Sequence, residues 1–136
     1  MRQQTVSLDL EAIPENAATA RHAIADAAAR AGLDGETVAK AKLVVSEAFS
    51  NAAAHAYPED GGGRIEVAAY PDAAGITVVV RDRGEGLRPT PASDGASERL
   101  GLVLIAALAQ STRLRQLPGG GTELRADIFA GASAHA

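Results

Sequence analysis

Glu47, Asn51 and His55 recur at four-residue intervals in Glu47-Ala-Phe-Ser-Asn51-Ala-Ala-Ala-His55. On a helix that spacing stacks them along one face. Asparagine is a poor helix-interior residue and is seldom buried without partners. Asn51 nevertheless stands in an apolar stretch, between Ser50 and Ala52. One reason for it is Mg²⁺, a hard cation that takes oxygen ligands and keeps waters and substrate phosphates around it. Glu47, one turn earlier, would then accept the proton of an attacking hydroxyl or water. The plainer alternative is a Glu–Asn pair that is hydrogen-bonded or merely solvated, and the spacing alone leaves both open. His55, near a helix C-terminus, suits the helix dipole or caps carbonyls and takes no catalytic role. Tyr57 reads as packing.

A second constellation, Asp82-Arg-Gly84-Glu-Gly86, closes the apolar run Val78-Val79-Val80. A carboxylate at a strand end can accept a hydrogen bond from an exocyclic amine such as that of adenine. Gly84 and Gly86 permit close backbone approach and give a hinge. An ordinary turn fits the same residues. The stretch 84–99 is rich in Gly, Pro, Ser and charge, and reads as a long functional or disordered loop. It leads to a helix expected over Gly101–Ala109, whose free N–H groups at Gly101 and Leu102 would form a phosphate site. Arg88 and Arg99 are placed to reach phosphate oxygens, although loop arginines often do nothing specific. Thr122 follows three glycines, where a tight turn with an outward hydroxyl is the plain reading. The sequence holds no G-x-x-x-x-G-K-[ST] loop and no H-E-x-x-H pair, and His22, His55 and His135 are too dispersed for a metal site.

The elements that must position these residues follow from periodicity. Thr5–Leu10 alternates and predicts an edge strand. Pro14-Glu15-Asn16 starts a helix that runs to Ala31 and stops at Gly32. Asp34 is the expected N-cap of a second helix, reaching about Ala56 before Tyr57-Pro58 and three glycines break it. Arg64–Tyr70 and Gly75–Asp82 form one hairpin, and Thr112–Leu117 and Thr122–Phe129 another. The order β, α, α, β, β, loop, α, β, β predicts an α+β two-layer sandwich, with helices on one face of a mixed, largely antiparallel sheet. Residues 1–130 are expected to form one domain, followed by a frayed tail at 131–136.

Composition narrows the partners. The chain has 136 residues, 46% hydrophobic and 22% charged, which suits one globular domain with a real core. Aromatics make up 3% and the net charge is −4, so neither base stacking nor a phosphate-backbone patch is indicated, and no direct nucleic-acid partner is expected. No cysteine is present, which excludes disulfides and thiolate metal sites. The N-terminus does not read as a signal peptide and no apolar run reaches ~20 residues, so a cytoplasmic location with no membrane partner is expected.

Together these pieces resemble the GHKL ATPase superfamily, most closely its small single-domain branch, the bacterial anti-sigma-factor serine/threonine kinases. Val44-Val-Ser-Glu47-Ala-Phe-Ser-Asn51-Ala-Ala-Ala-His55-Ala-Tyr57 looks like the N box of that branch. Asp82-Arg-Gly84-Glu-Gly86 looks like its first glycine box, Leu100-Gly101-Leu102-Val-Leu-Ile105 like its second, and Gly121-Thr122 like its terminal Gly-Thr. The resemblance spans nearly the whole chain, in order. It implies the histidine-kinase-like ATPase fold and ATP with Mg²⁺ as cofactors. Asn51 would bind Mg²⁺ and Glu47 would be the general base. Asp82 would read the adenine amine, with Gly84 and Gly86 flanking the base and starting the ATP lid. Gly101 and Leu102 would sit at the phosphates, and Thr122 would support the Asp82–adenine contact.

The implied reaction moves the ATP γ-phosphoryl group to a serine or threonine of an anti-sigma-factor antagonist, and the implied second activity sequesters a sigma factor. A homodimer is compatible with the resemblance, through the Ala-rich helix 15–31 or a sheet edge. One departure is that Glu98-Arg99-Leu100-Gly101-Leu102 carries less glycine than many second boxes. It motivates the alternative of a non-catalytic partner-binding module with ATP structural or absent. A regulatory ATPase unrelated to sigma factors is a third reading. Histidine-kinase chemistry is not implied, because no histidine lies in a recognisable phosphoacceptor helix.

Overall fold

A computed structural model describes residues 6–55, 63–84 and 96–130, without the side chains of His55 and residues 96–100. Gly86, Arg88, Tyr57 and the expected tail 131–136 lie outside the described residues, as does the Arg99 side chain. The elements are β1 (Val6–Glu11), α1 (Asn16–Arg30), α2 (Gly35–His55), β2 (Arg64–Asp72), β3 (Gly75–Asp82), α3 (Ala96–Leu108), β4 (Ser111–Gln116) and β5 (Thr122–Phe129). The strands form one sheet in the order β1-β2-β3-β5-β4. The sheet expected to be largely antiparallel is antiparallel in all four pairings.

Local chemistry explains the breaks. Gly32 takes φ 85° just past α1, a left-handed stop that glycine adopts without strain. The Asp34 carboxylate accepts a 2.5 Å hydrogen bond from the Thr37 hydroxyl at the start of α2. The β2–β3 turn is held by Asp72 Oδ1, which accepts from the N–H groups of Ala74 and Gly75 at 2.8 and 3.1 Å.

The helices cover one face of the sheet. Ile65, Val67, Ala69, Ile76, Val78, Val80, Leu124, Ala126 and Ile128 meet Ile24, Val44, Val45 and Phe49 there, all nearly inaccessible to water. With so few aromatics, α1 packs into the core largely through alanines, among them Ala17, Ala20 and Ala28.

On the opposite face, side chains replace helices as cover. Arg81 and Arg115 close on Glu123 at 2.5 and 2.8 Å, and the Glu123 side chain is only 6% exposed. Arg125 lies over the Tyr70 ring, 5.9 Å from its centroid. Val79, on this face of β3, is fully buried.

One expectation is corrected. α3 begins at Ala96, not at Gly101. Ala96-Ser-Glu-Arg-Leu100 consists mostly of good helix formers whose signal merges with the Gly- and Pro-rich stretch before it. Gly101 is thus the sixth residue of the helix. Its N–H, like that of Leu102, lies beyond the first four that a helix leaves free, so neither forms the phosphate-binding terminus the sequence suggested.

Candidate nucleotide site

The first half of the candidate site lies where α2 meets α3. α2 buries Ala41, Val44, Val45, Ala48, Phe49 and Ala52, and the same face carries Asn51, which is 6% exposed. Glu47, one turn earlier, is partly open to solvent. Arg21 on α1 donates to the Ser46 hydroxyl at 3.3 Å and ties the two helices together beside Glu47. Asn51 Nδ2 is buried and has no hydrogen-bond partner among the described residues. Such an atom loses its hydration without compensation, so native folds rarely leave one. An acceptor can satisfy the nitrogen, and the amide oxygen can take a cation.

Gly101 explains how the amide fits. The glycine is buried, and a Cβ placed on it would overlap Asn51 Nδ2 and come 3.2 Å from Asn51 Cγ. Leu102, beside it, packs partly buried against the core. The structure therefore brings Asn51 and Gly101 together.

The second half lies at the end of β3. Asp82 shares the helix-covered face with Val80 and Val78 and is 3% exposed. Burial pushes its carboxyl above the ordinary 3.8, while the Gly84 and Thr122 N–H groups and then the Arg83 charge draw it back. The Gly84 N–H donates to Asp82 Oδ1 at 3.1 Å. Thr122 opens β5 directly opposite Asp82. The approach depends on Gly121, at φ 103°, where a Cβ would overlap the Asp82 carbonyl oxygen. Leu117 N–H donates to the Gly121 carbonyl at 2.9 Å, and so closes the β4–β5 turn. Asp82, Gly84 and Thr122 are thus brought together, with Thr122 supporting the carboxylate through its backbone.

Sequence reasoning missed the steric roles of Gly121 and Gly101. The available signal was more glycine than the β4–β5 turn needs, and a glycine inside a run of helix formers.

The donor set suits Mg²⁺ bound with a nucleotide. Among the described residues no three His, Cys, Asp or Glu side chains converge on a metal site. Mg²⁺ shared with phosphates needs only one or two protein oxygens, which an amide and neighbouring carboxylate can give.

Three helices on one face of this antiparallel sheet, with a buried carboxylate at a strand end and a buried amide between two helices, make the α+β fold of histidine-kinase-like ATPases. The model of the histidine kinase-like ATPase domain matches residues 10–128, and the chain belongs to that family. Over 132 residues it is 30% identical to a protein of Pasteuria penetrans named anti-sigma F factor, covering 90% of this chain and 88% of that one. It is 28% identical to the serine-protein kinase RsbW of Bacillus subtilis strain 168, over 84% of this chain and 79% of that one. Among solved structures, the RsbU and RsbW domains of Rv1364c from Mycobacterium tuberculosis superpose with a TM-score of 0.66 at 27% identity, over 93% of this chain. This chain spans only 33% of that larger protein. No helix among the described residues is long and apolar enough to cross a membrane.

Proposed function

We propose that residues 1–130 form an ATP-binding domain that phosphorylates a serine or threonine of an anti-sigma-factor antagonist and, in its other role, sequesters a sigma factor. The observation that carries the proposal is the buried Asn51 amide, one helical turn beyond Glu47, whose Nδ2 has no hydrogen-bond partner among the described residues. The names of the relatives support the choice of phosphoacceptor and partner.

The Asp82 carboxylate accepts a hydrogen bond from the adenine amine, held in place by the Gly84 and Thr122 N–H groups. Asn51 presents its amide oxygen to the metal. Mg²⁺, when bound, supplies charge neutralisation on the phosphates. Glu47 accepts the hydroxyl proton of the acceptor residue as its oxygen bonds to the γ-phosphorus. The bond from that phosphorus to the β,γ-bridging oxygen breaks, and ADP leaves with the electron pair. Gly86 and Arg99 complete the proposed nucleotide contacts. The site lies in the cytoplasm in this reading.

Glu47→Gln tests the chemistry. It keeps ATP binding and abolishes phosphoryl transfer to a cognate antagonist. Transfer that survives the substitution refutes Glu47 as the base. A wild type that binds ATP and its partner but never transfers phosphate favours the non-catalytic module suggested by the glycine-poor 98–102 segment.

A further inference from the structure

We infer that Gly101 is a positioning residue for Asn51: the bare Cα of α3 makes the slot that holds the amide in its metal-facing pose. The inference rests on the reading of Asn51 as the Mg²⁺ ligand.

Three observations converge on it. Gly101 is the single glycine in Ala96–Leu108, a helix otherwise built of Ala, Leu, Ile, Val and a few polar residues. Glycine in a helix interior weakens the helix, so its place there calls for a compensating reason. The turn carries no positive φ at Gly101 that would require it. What requires it is Asn51, since an added Cβ would overlap Nδ2 and stand 3.2 and 3.3 Å from Cγ and Oδ1.

The neighbours fix which side must yield. Ile105, one turn on from Gly101, and Phe49 and Ala52, on either side of Asn51, are all buried. The two helices therefore cannot separate freely, whereas the Asn51 amide turns about two side-chain bonds. A methyl group at position 101 displaces the amide before it displaces the helix. The paucity of glycine in Glu98-Arg99-Leu100-Gly101-Leu102 then has a rationale. The glycine that remains is the one the amide needs.

The test is a double-variant cycle. ATP affinity is measured by calorimetry in excess Mg²⁺ and in excess EDTA, for the wild type, Asn51→Ala, Gly101→Ala and the double variant. The ratio of the two affinities is the contribution of the metal. Gly101→Ala is expected to cut that contribution by about tenfold or more, the loss typical of removing the support of a metal ligand. Affinity in EDTA stays unchanged. Adding Gly101→Ala to Asn51→Ala costs nothing more, because the amide that needed the slot is gone.

In the nucleotide-free protein, the Asn51 side-chain amide resonance shifts in Gly101→Ala. If Asn51→Ala keeps the metal contribution, the reading of Asn51 fails and the inference falls with it. If Asn51→Ala loses it but Gly101→Ala keeps it, the inference alone is overturned. If Gly101→Ala instead lowers affinity in EDTA and the melting temperature, and the double variant restores neither, the glycine serves helix packing alone and the positioning role is again overturned.

Discussion

Gly121 leaves no room for a side chain beside Asp82: a Cβ on it would overlap the Asp82 carbonyl oxygen and stand 2.8 Å from Arg83 Cα. This close approach lets β5 begin directly opposite the end of β3 and sets the Thr122 N–H beside the Asp82 carboxylate. Gly121→Ala meets both that overlap and a φ of 103°. Backbone strain alone costs about 1–3 kcal/mol at such a position. The variant is expected to melt well below the wild type and to bind ATP more weakly, as checked by thermal unfolding and titration. An unchanged melting temperature contradicts this account of the turn.

Asp82→Asn tests the adenine contact and its pH dependence. The substitution removes a charge-assisted hydrogen bond, so ATP affinity falls about tenfold or more. Burial holds the Asp82 carboxyl above its ordinary 3.8. The charged form is therefore lost as pH falls through that raised value, at a higher pH than for an exposed aspartate. Wild-type affinity declines over that acid range, and the Asp82→Asn variant lacks this component of the decline. The linkage to folding has the same origin. The cost of burying the charge is present at neutral pH and is relieved on acidification.

Glu123 gives the opposite sign. The Arg115 guanidinium, and then Arg81, hold its carboxyl below the ordinary 4.5 against the effect of burial. Its stabilisation is complete above pH 4.5 and is lost as pH falls through the lowered value. Both arginines are partly exposed, so solvent screening limits the effect. Glu123→Gln is expected to cost about 1 kcal/mol at pH 7. That corresponds to roughly 3 °C in melting temperature. The gap between the proteins closes at acid pH, and a gap that widens there contradicts the assignment.

Phe49 is fully buried in the core between the helix layer and the sheet. Phe49→Ala should lower unfolding free energy by about 3–5 kcal/mol, measured by denaturant titration. Removing the Asp9–Arg64 pair, whose side chains are 60% and 59% exposed, should change it by no more than about 1 kcal/mol. Comparable losses from the two substitutions would show that the core has been misplaced.

Much of the fold is legible in the sequence because the relevant signals are local. Alternation locates the strands, and Gly32 and the Asp72 turn mark the breaks between elements. The N-terminus of α3 is not legible, because Ala96–Leu100 adjoins a segment whose composition reads as loop. The partners Asn51–Gly101 and Asp82–Gly121 are not legible as contacts either. Each pair is far apart in the chain and is joined only by helix and strand packing. Glu123 escapes notice for a related reason: its burial comes from arginines on both neighbouring strands rather than from an apolar pattern. Asn51 and Asp82 are legible as candidates because an amide in an apolar helix and an acid at a strand end are unusual for their surroundings.

The Asn51 amide, in this reading, belongs to a metal–nucleotide site. Calorimetric titration of the purified protein with ATP, in Mg²⁺ and in EDTA, for wild type and Asn51→Ala, tests it most directly. Wild-type binding is expected to be strengthened by Mg²⁺, and that strengthening to be lost in the variant. No wild-type binding at about 1 mM ATP, the upper end of the usual KM range, or Mg²⁺-strengthened binding that survives Asn51→Ala, would contradict it.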